Sequence, residues 1–296
     1  MLGGGVLLVV LFAIVEIRRE RAGRFFLFDF DLWRYPAFRY GNLAGTIVSL
    51  GEFGLLFVLP LFLQAVVGYT AFETGLTFLA LALGSFVSAG GASVLTRRLG
   101  ARRVVTIGMA LEAIGILGAT LLITVSVNGL MLAAPLFVYG IGVGFATAQL
   151  TNIVLSDVPG ERSGLASGTN STMRQLGSAL GIAILGTVLF TSLADGTRDR
   201  LTAMGVPPAA RDAVVTVMDS SAGQALPGLR QDPRGAAAIP AIESAFAEAA
   251  RSAGFVAFGF VLVGLALSLL IPTPQRVFTG RRVEGEARAD PARSAS

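Results

Sequence analysis

The sequence predicts an all-α membrane protein, and three observations support this fold class. The mean hydropathy is +0.72, and 53% of the residues are hydrophobic. Only 14% are charged, against about 25% in a typical soluble domain. Long apolar runs also alternate with loops that carry arginine. Burial of these runs in lipid explains the balance better than a large soluble core does.

The first of seven apolar runs is shorter than the rest. Leu2–Val15 has only 14 residues before Glu16, whereas a helix that crosses a bilayer needs roughly 20 apolar residues. No basic region precedes the run, so a signal peptide is a poor interpretation. We therefore expect residues 1–16 to be a truncated transmembrane helix, with the front portion of a larger membrane protein missing.

The other six runs are long enough to span a bilayer, and turn-rich or charged residues bound each of them. The predicted spans are Asn42–Val67, Thr74–Leu95, Val104–Thr124, Leu130–Leu155, Gly164–Phe190 and Ser252–Ile271.

Three segments are expected outside these spans. Residues 17–41 form a connection in which Phe25–Tyr40 has eight aromatic side chains, a composition typical of a stretch that lies at the lipid headgroups. Residues 192–250 are predicted to be an outer loop with short helices at Ala209–Met218 and Ala241–Ala250. Residues 272–296 are predicted to be a disordered tail.

The distribution of arginine predicts the orientation. Alternate connections, at residues 17–41, 96–103, 156–163 and after Ile271, carry six, four, one and five arginines. Residues 68–73 and 125–129, on the opposite side, carry none. Since arginine is enriched in cytoplasmic loops, the tail is predicted to be cytoplasmic in a multi-pass protein of the plasma membrane.

Missing residue types exclude several functions. The sequence has no lysine, so a GxxxxGK[ST] phosphate loop cannot form. It has no cysteine or histidine, which excludes zinc or thiol chemistry and an imidazole proton relay. The basic residues stand beside apolar runs, so nucleic acid is not an expected partner. We predict no catalytic residue, no metal and no cofactor, and we do not expect an enzyme.

Few ionisable residues lie inside the predicted spans: Glu52, Glu112 and Arg174. Such residues usually face a bundle interior or water and serve a function. Two interpretations stay open for each. Glu52 is a proton or substrate site or makes a structural contact, and Glu112 is a site or reaches the cytoplasmic rim. Arg174 is functional, or it forms a structural ion pair or hydrogen bonds to helix carbonyls.

Further polar residues are candidates for the lining of a central cavity. They are Gln64, Gln149, Asn152 and Asn170. Interhelical hydrogen bonding is the alternative for Gln149 and Asn152.

The segment Gly164–Ala183 has the strongest local pattern. Small or polar residues recur there at three- and four-residue steps, and Gly177 and Gly181 have the spacing that lets two helices approach closely. Gly140, Gly142 and Gly144 are also predicted to pack helices, because they lie within a span rather than after a strand.

Three segments resemble the C-terminal part of fourteen-span drug:proton antiporters of the major facilitator superfamily. They are DLWRYPAFRYGN with the span ending LPLFLQAVVGYTAFETG, then TRRLGARR, and then SDVPGERSGLASGTNSTMRQLGSALGIAILGTVLF. The resemblance implies a six-helix C-terminal half preceded by a clipped helix. It also implies proton-driven export of small, often amphipathic molecules, with the lipid bilayer and a missing N-terminal half as partners.

The resemblance extends to the loop motif of the superfamily, approximately G-x-L-a-D-R-x-G-r-r. Arg98, Gly100 and Arg102 match it, but Arg97 stands in place of the Asp. The gating contact attributed to that Asp is therefore not expected here. Two alternatives to drug export stay open: a metabolite or siderophore transporter of the same fold, and a half-sized membrane protein that assembles with a partner without transporting.

Overall fold

The computed structural model describes residues 30–221, 224–230 and 236–272, and this part of the chain contains no strand. Six of its helices are long and apolar enough to cross a membrane, so the predicted all-α membrane fold class is confirmed. The α-helices of the described residues are α1 (Pro36–Phe62), α2 (Ala71–Leu99), α3 (Ala101–Leu122), α4 (Gly129–Ser156), α5 (Ser163–Ala203), α6 (Pro208–Ser220), α7 (Leu226–Leu229) and α8 (Ile239–Ser268). The six long helices are α1 to α5 and α8.

Several helices extend beyond the predicted spans. Helix α1 begins at Pro36 rather than at Asn42, and Leu32 and Phe38 of the aromatic connection are fully buried against the junction of α4 and α5. Helix α8 is continuous from Ile239, so Ala241–Ala250 is not a separate short helix. The predictions for residues 1–29 and 273–296 lie outside the described residues.

Local signals in the sequence explain where several helices begin or end. Thr70 and Glu73 form a reciprocal cap at the start of α2, with a distance of 2.8 Å from the Thr70 backbone nitrogen to Glu73 Oε2. The Asn128 side chain accepts a hydrogen bond from the Met131 backbone nitrogen at the start of α4. Gly100, with a φ of 84°, makes the tight turn between α2 and α3.

The six long helices pack as two units of three. Helix α1 packs on α5 and α8, and in the same way α4 packs on α2 and α3. The units meet where α1 contacts α4 and where α3 contacts α8. Along the chain the six helices form two triplets, α1–α3 and α4, α5, α8. The first helix of each triplet packs on the second and third helices of the other triplet, which is the pattern of an internal three-plus-three repeat.

Glycine allows the closest of these contacts. A Cβ at Gly177 or at Gly181 on α5 would collide with a backbone carbonyl oxygen of α1, at Thr46 and Leu50 respectively. A Cβ at Gly140 on α4 would collide with the Leu81 carbonyl oxygen of α2. The prediction that these glycines pack helices is therefore confirmed.

The described residues of the predicted outer loop, 192–221, 224–230 and 236–250, are largely helical. Helix α5 has 41 residues, about 60 Å at 1.5 Å per residue, and so exceeds the roughly 30 Å of a hydrocarbon core. The end of α5 is joined to α8 by an ion pair of 2.5 Å between Arg200 and Glu248. Arg230 pairs with Glu243 at 2.7 Å and donates to the Val66 carbonyl oxygen at 2.5 Å. The long connection is thus attached to the end of α1.

Replacement of Gly181 by alanine tests the contact between α1 and α5. We expect Gly181→Ala to lower the free energy of unfolding by about 1–3 kcal/mol, because the new methyl group meets the Leu50 backbone. The matched control is Gly168→Ala on the same helix, where a Cβ has no neighbour within 4 Å and alanine favours helix by up to about 1 kcal/mol. Denaturant unfolding in detergent measures both, and equal stabilities would contradict the tight contact.

Candidate functional site

The candidate site is a polar cleft of about 310 Å³ between α1, α4 and α5. Its lining comprises one aromatic side chain and seven polar ones: Phe53, Thr151, Ser167, Asn170, Ser171, Arg174, Gln175 and Ser178. Six of these belong to α5, while Phe53 comes from α1 and Thr151 from α4. The predicted polar stripe of Gly164–Ala183 is therefore the main wall of the cleft.

The register of α5 explains this wall. Gly177 and Gly181 recur every four residues and place one face of α5 against α1. Ser171, Arg174 and Ser178 recur at three- and four-residue steps and so share an adjacent face. Since an arginine on a transmembrane helix faces protein or water rather than lipid, the open side of the cleft does not face hydrocarbon.

Arg174 is the cation of this cleft, and it is partly buried. Among the residues that the structure describes, no carboxylate lies within the 4.0 Å of an ion pair from its guanidinium group. Its charge nevertheless interacts with those of Glu52 and Glu112. The structure thus brings together the three ionisable residues that the sequence places within spans, and it does not support a close ion pair at Arg174.

Glu52 lies on α1 and is 8% exposed. Its backbone carbonyl oxygen accepts a hydrogen bond of 3.4 Å from the Tyr139 hydroxyl group of α4. Its neighbour in the chain, Phe53, lines the cleft. Glu52 therefore stands at the contact between α1 and α4, beside the polar cleft.

Glu112 lies on α3 and is 1% exposed. It faces α4, where a Cβ at Gly142 would collide with the Glu112 backbone nitrogen. Its Oε1 atom is buried and has no hydrogen-bond partner within the described part of the chain. The interpretation that Glu112 reaches the cytoplasmic rim is wrong, because the helix contact encloses the side chain.

The other cavity candidates are divided by the structure. Asn170 lines the cleft and is buried, and Gln149 is buried in α4. Gln64 and Asn152 are exposed and are not among the residues that line the cleft, so their place in a central cavity stays a prediction. Gln64 lies in a π-helical turn at the far end of α1, 12 residues and about 18 Å beyond Glu52.

The three residues that match the loop motif, Arg98, Gly100 and Arg102, lie at the turn between α2 and α3. Arg98 is exposed, and Gly100 makes the turn between α2 and α3. The Arg102 guanidinium group donates to the Leu269 carbonyl oxygen, just after the end of α8. These three residues therefore do not belong to the polar cleft.

Sequence reasoning missed three residues of the site. Tyr139 is fully buried, and its hydroxyl group donates a hydrogen bond to the Glu52 backbone carbonyl oxygen of α1. A tyrosine inside a span is a usable signal, since a buried phenol usually finds a partner. Phe53 and Thr151 gave no such signal, because apolar and threonine side chains are ordinary within spans.

The cleft can accept a solute that offers hydrogen-bonding groups and some apolar surface. Two buried carboxyl groups, Glu52 and Glu112, interact electrostatically with the arginine of the cleft. Among the described residues, no group of three or more acidic side chains could hold a metal ion.

These features define a class of protein: a helical membrane bundle with charged groups in its interior and a polar cleft, as membrane transporters have. Residues 1–182 match the family described as the Major Facilitator Superfamily. Because the match covers more than half of the chain, the protein belongs to this superfamily.

Relatives extend the comparison. The chain is 28% identical over 196 residues to the multidrug resistance protein Stp of Mycobacterium tuberculosis, which covers 66% of this chain and 36% of Stp. It is 34% identical over 190 residues to the cephamycin export protein CmcT of Amycolatopsis lactamdurans, which covers 63% and 38%. It is 31% identical over 197 residues to a probable actinorhodin transporter of Streptomyces coelicolor, which covers 64% and 33%. The chain spans little more than a third of the length of these relatives.

Replacement of Glu112 separates a functional carboxyl group from a structural one. Since Oε1 is buried without a partner, we expect Glu112→Leu to leave the unfolding midpoint unchanged or to raise it, because loss of an unpaired buried polar group removes a cost of about 1–3 kcal/mol. The exposed Glu161→Leu is the control for general loss of charge. Thermal unfolding in detergent measures both variants. A midpoint for Glu112→Leu that lies well below the control would mean that the carboxyl group holds the helices together.

Proposed function

We propose that the chain is the C-terminal lobe of a proton-coupled secondary transporter that exports small amphipathic molecules across the cell membrane. One observation carries the proposal. Glu52 and Glu112, both buried, interact electrostatically with Arg174 at a polar cleft inside an otherwise apolar bundle. Ionisable groups at this depth are costly and usually mark the path of a solute or an ion.

Proton coupling follows from the residue types available. The chain has no histidine, so carboxyl groups are the side chains of these helices that can exchange protons near neutral pH. The absence of lysine excludes a Walker phosphate loop in this chain. An ion gradient is therefore the favoured source of energy.

The cleft favours an amphipathic substrate. Phe53 offers apolar surface, and the hydroxyl, amide and guanidinium groups of the lining offer hydrogen bonds. Relatives named as multidrug, cephamycin and actinorhodin transporters support export of small bioactive compounds. By this proposal the protein is a carrier and not an enzyme.

The proposal includes a second lobe. The chain covers only about a third of each relative, and the open side of the polar cleft requires water or protein rather than lipid. Helix α2 also carries strongly exposed apolar side chains, such as Phe72 and Phe86, which are 80% and 79% exposed. An N-terminal lobe would complete the cavity, and the arginine-bearing loops and the tail would lie in the cytoplasm.

Replacement of Arg174 tests the role of the cleft. In the complete transporter, we expect Arg174→Ala to abolish efflux without loss of expression, because it removes the cation that interacts with both buried carboxyl groups. The matched control is Arg198→Ala on the same helix, where the arginine is paired with the exposed Asp195. Drug accumulation in cells and substrate-dependent proton flux in vesicles measure the effect. Unchanged accumulation in Arg174→Ala would remove the residue from the site.

Two further measurements separate the alternatives. A metabolite or siderophore transporter would show proton flux with those solutes and not with drugs. The DNA upstream of the Met1 codon distinguishes a lobe from a half-sized partner protein. An in-frame continuation that encodes further spans supports the proposal, and an immediate stop codon contradicts it.

A further inference from the structure

The turn between α2 and α3 concentrates positive charge without any acidic residue. Arg97, Arg98, Arg102 and Arg103 fall within residues 96–103, which contain neither Asp nor Glu. This cluster, here called the arginine turn, lies outside the cleft and has no part in the proposed transport chemistry. It is therefore a separate feature that needs its own explanation.

Three of the four arginines are open to a ligand. Arg97, Arg98 and Arg103 are exposed, and within the described ranges no carboxylate lies in ion-pair distance of them. Arg34, elsewhere on this end of the bundle, differs because it pairs with Asp31 at 3.1 Å. The charge of Arg97, Arg98 and Arg103 is thus not neutralised by an ion pair within the described residues.

The arginine turn is held in place by α8. Arg102 donates to the Leu269 carbonyl oxygen, and the hydroxyl groups of Thr106 and Ser268 lie 3.3 Å apart. Gly100 fixes the tight reversal of the chain. The three exposed guanidinium groups therefore extend from an anchored backbone.

Exposed apolar side chains border the arginine turn. Val94 is 45% exposed, and Leu99 and Ile107 are each 37% exposed. Exposed apolar surface that ends in exposed arginine is characteristic of a helix end at the boundary between hydrocarbon and headgroups, where long basic side chains extend toward the polar layer.

We propose that the arginine turn binds the phosphate group of an anionic phospholipid, with Arg97, Arg98 and Arg103 as the donors. The guanidinium fork matches phosphate oxygens in bidentate geometry, and basic clusters next to a transmembrane helix attract anionic lipid. The bordering apolar surface favours a lipid over free phosphate, because acyl chains can cover it. The proposal does not depend on transport.

The first measurement compares lipids on the full chain in a neutral detergent. Phosphatidylglycerol and phosphatidylcholine are titrated separately, and bound lipid is counted by native mass spectrometry. We expect phosphatidylglycerol to bind more tightly than phosphatidylcholine. The affinity of the chain for phosphatidylglycerol should fall by about fivefold for each arginine removed in the triple variant Arg97→Gln, Arg98→Gln, Arg103→Gln. Equal binding of phosphatidylglycerol by the variant and the original chain would overturn the proposal.

Matched variants keep the test valid if the triple variant unfolds. Arg97→Gln alone should give about a fivefold loss, and Arg198→Gln, on another part of the bundle, should give none. The triple Arg→Lys variant keeps the charge that orients the helices but lacks the fork, so it should bind phosphatidylglycerol more weakly than the original chain. Equal affinity of the lysine variant would contradict binding through the guanidinium fork.

Inorganic phosphate distinguishes the two sources of the anion. If lipid is the ligand, millimolar phosphate should leave the phosphatidylglycerol complexes intact. Displacement of the lipid by phosphate at that concentration would overturn the lipid assignment and leave a site for free anions. Neither outcome bears on efflux, so failure here is distinct from failure of the proposed transport function.

Discussion

The structure depends on placing three ionisable side chains inside a bundle that must present an apolar exterior. Each such group costs several kilocalories per mole in hydrocarbon unless protein or water surrounds it. Helix α1 carries Glu52, α3 carries Glu112 and α5 carries Arg174. Helix α4 contacts α1 at Glu52 and α3 at Glu112. The close glycine contacts of these helices exclude lipid from the site. Tight packing is thus what makes the internal charges tolerable, and of the three only Arg174 lines the polar cleft.

The site also lies at the junction of the two three-helix units. Glu52 and Arg174 belong to the unit of α1, α5 and α8, while Glu112 and Tyr139 belong to the unit of α2, α3 and α4. The hydrogen bond from Tyr139 to the Glu52 carbonyl oxygen therefore crosses between units. A relative shift of the units would change the separation of Glu112 from Glu52 and Arg174 more than it would change any distance within a unit.

The sequence predicted the fold class and the three internal charges because both depend on composition along a single helix. A run of about 20 apolar residues identifies a span, and an ionisable residue within it is conspicuous. Composition along one helix does not specify how deeply a side chain is buried or which neighbouring helix it faces. Glu112 is only eight residues into its predicted span, yet α4 encloses it, and Gln64 is polar within a span, yet it is exposed at a helix end. Such outcomes depend on which helices meet, and a single sequence does not specify these long-range contacts.

The charges of this chain fall into two physical classes, and the distinction explains which could be interpreted from position alone. Arginines of the connecting turns, such as Arg98, stand at helix ends where water or headgroups solvate them, so their position predicts orientation. Arg174 lies inside a span rather than at a helix end, where it lines the polar cleft and interacts with carboxyl groups on other helices. In the proposed transporter, a second lobe would enclose the open side of its cleft while keeping water inside. The polarity of that side, rather than its size, is the reason why lipid is an unsuitable neighbour.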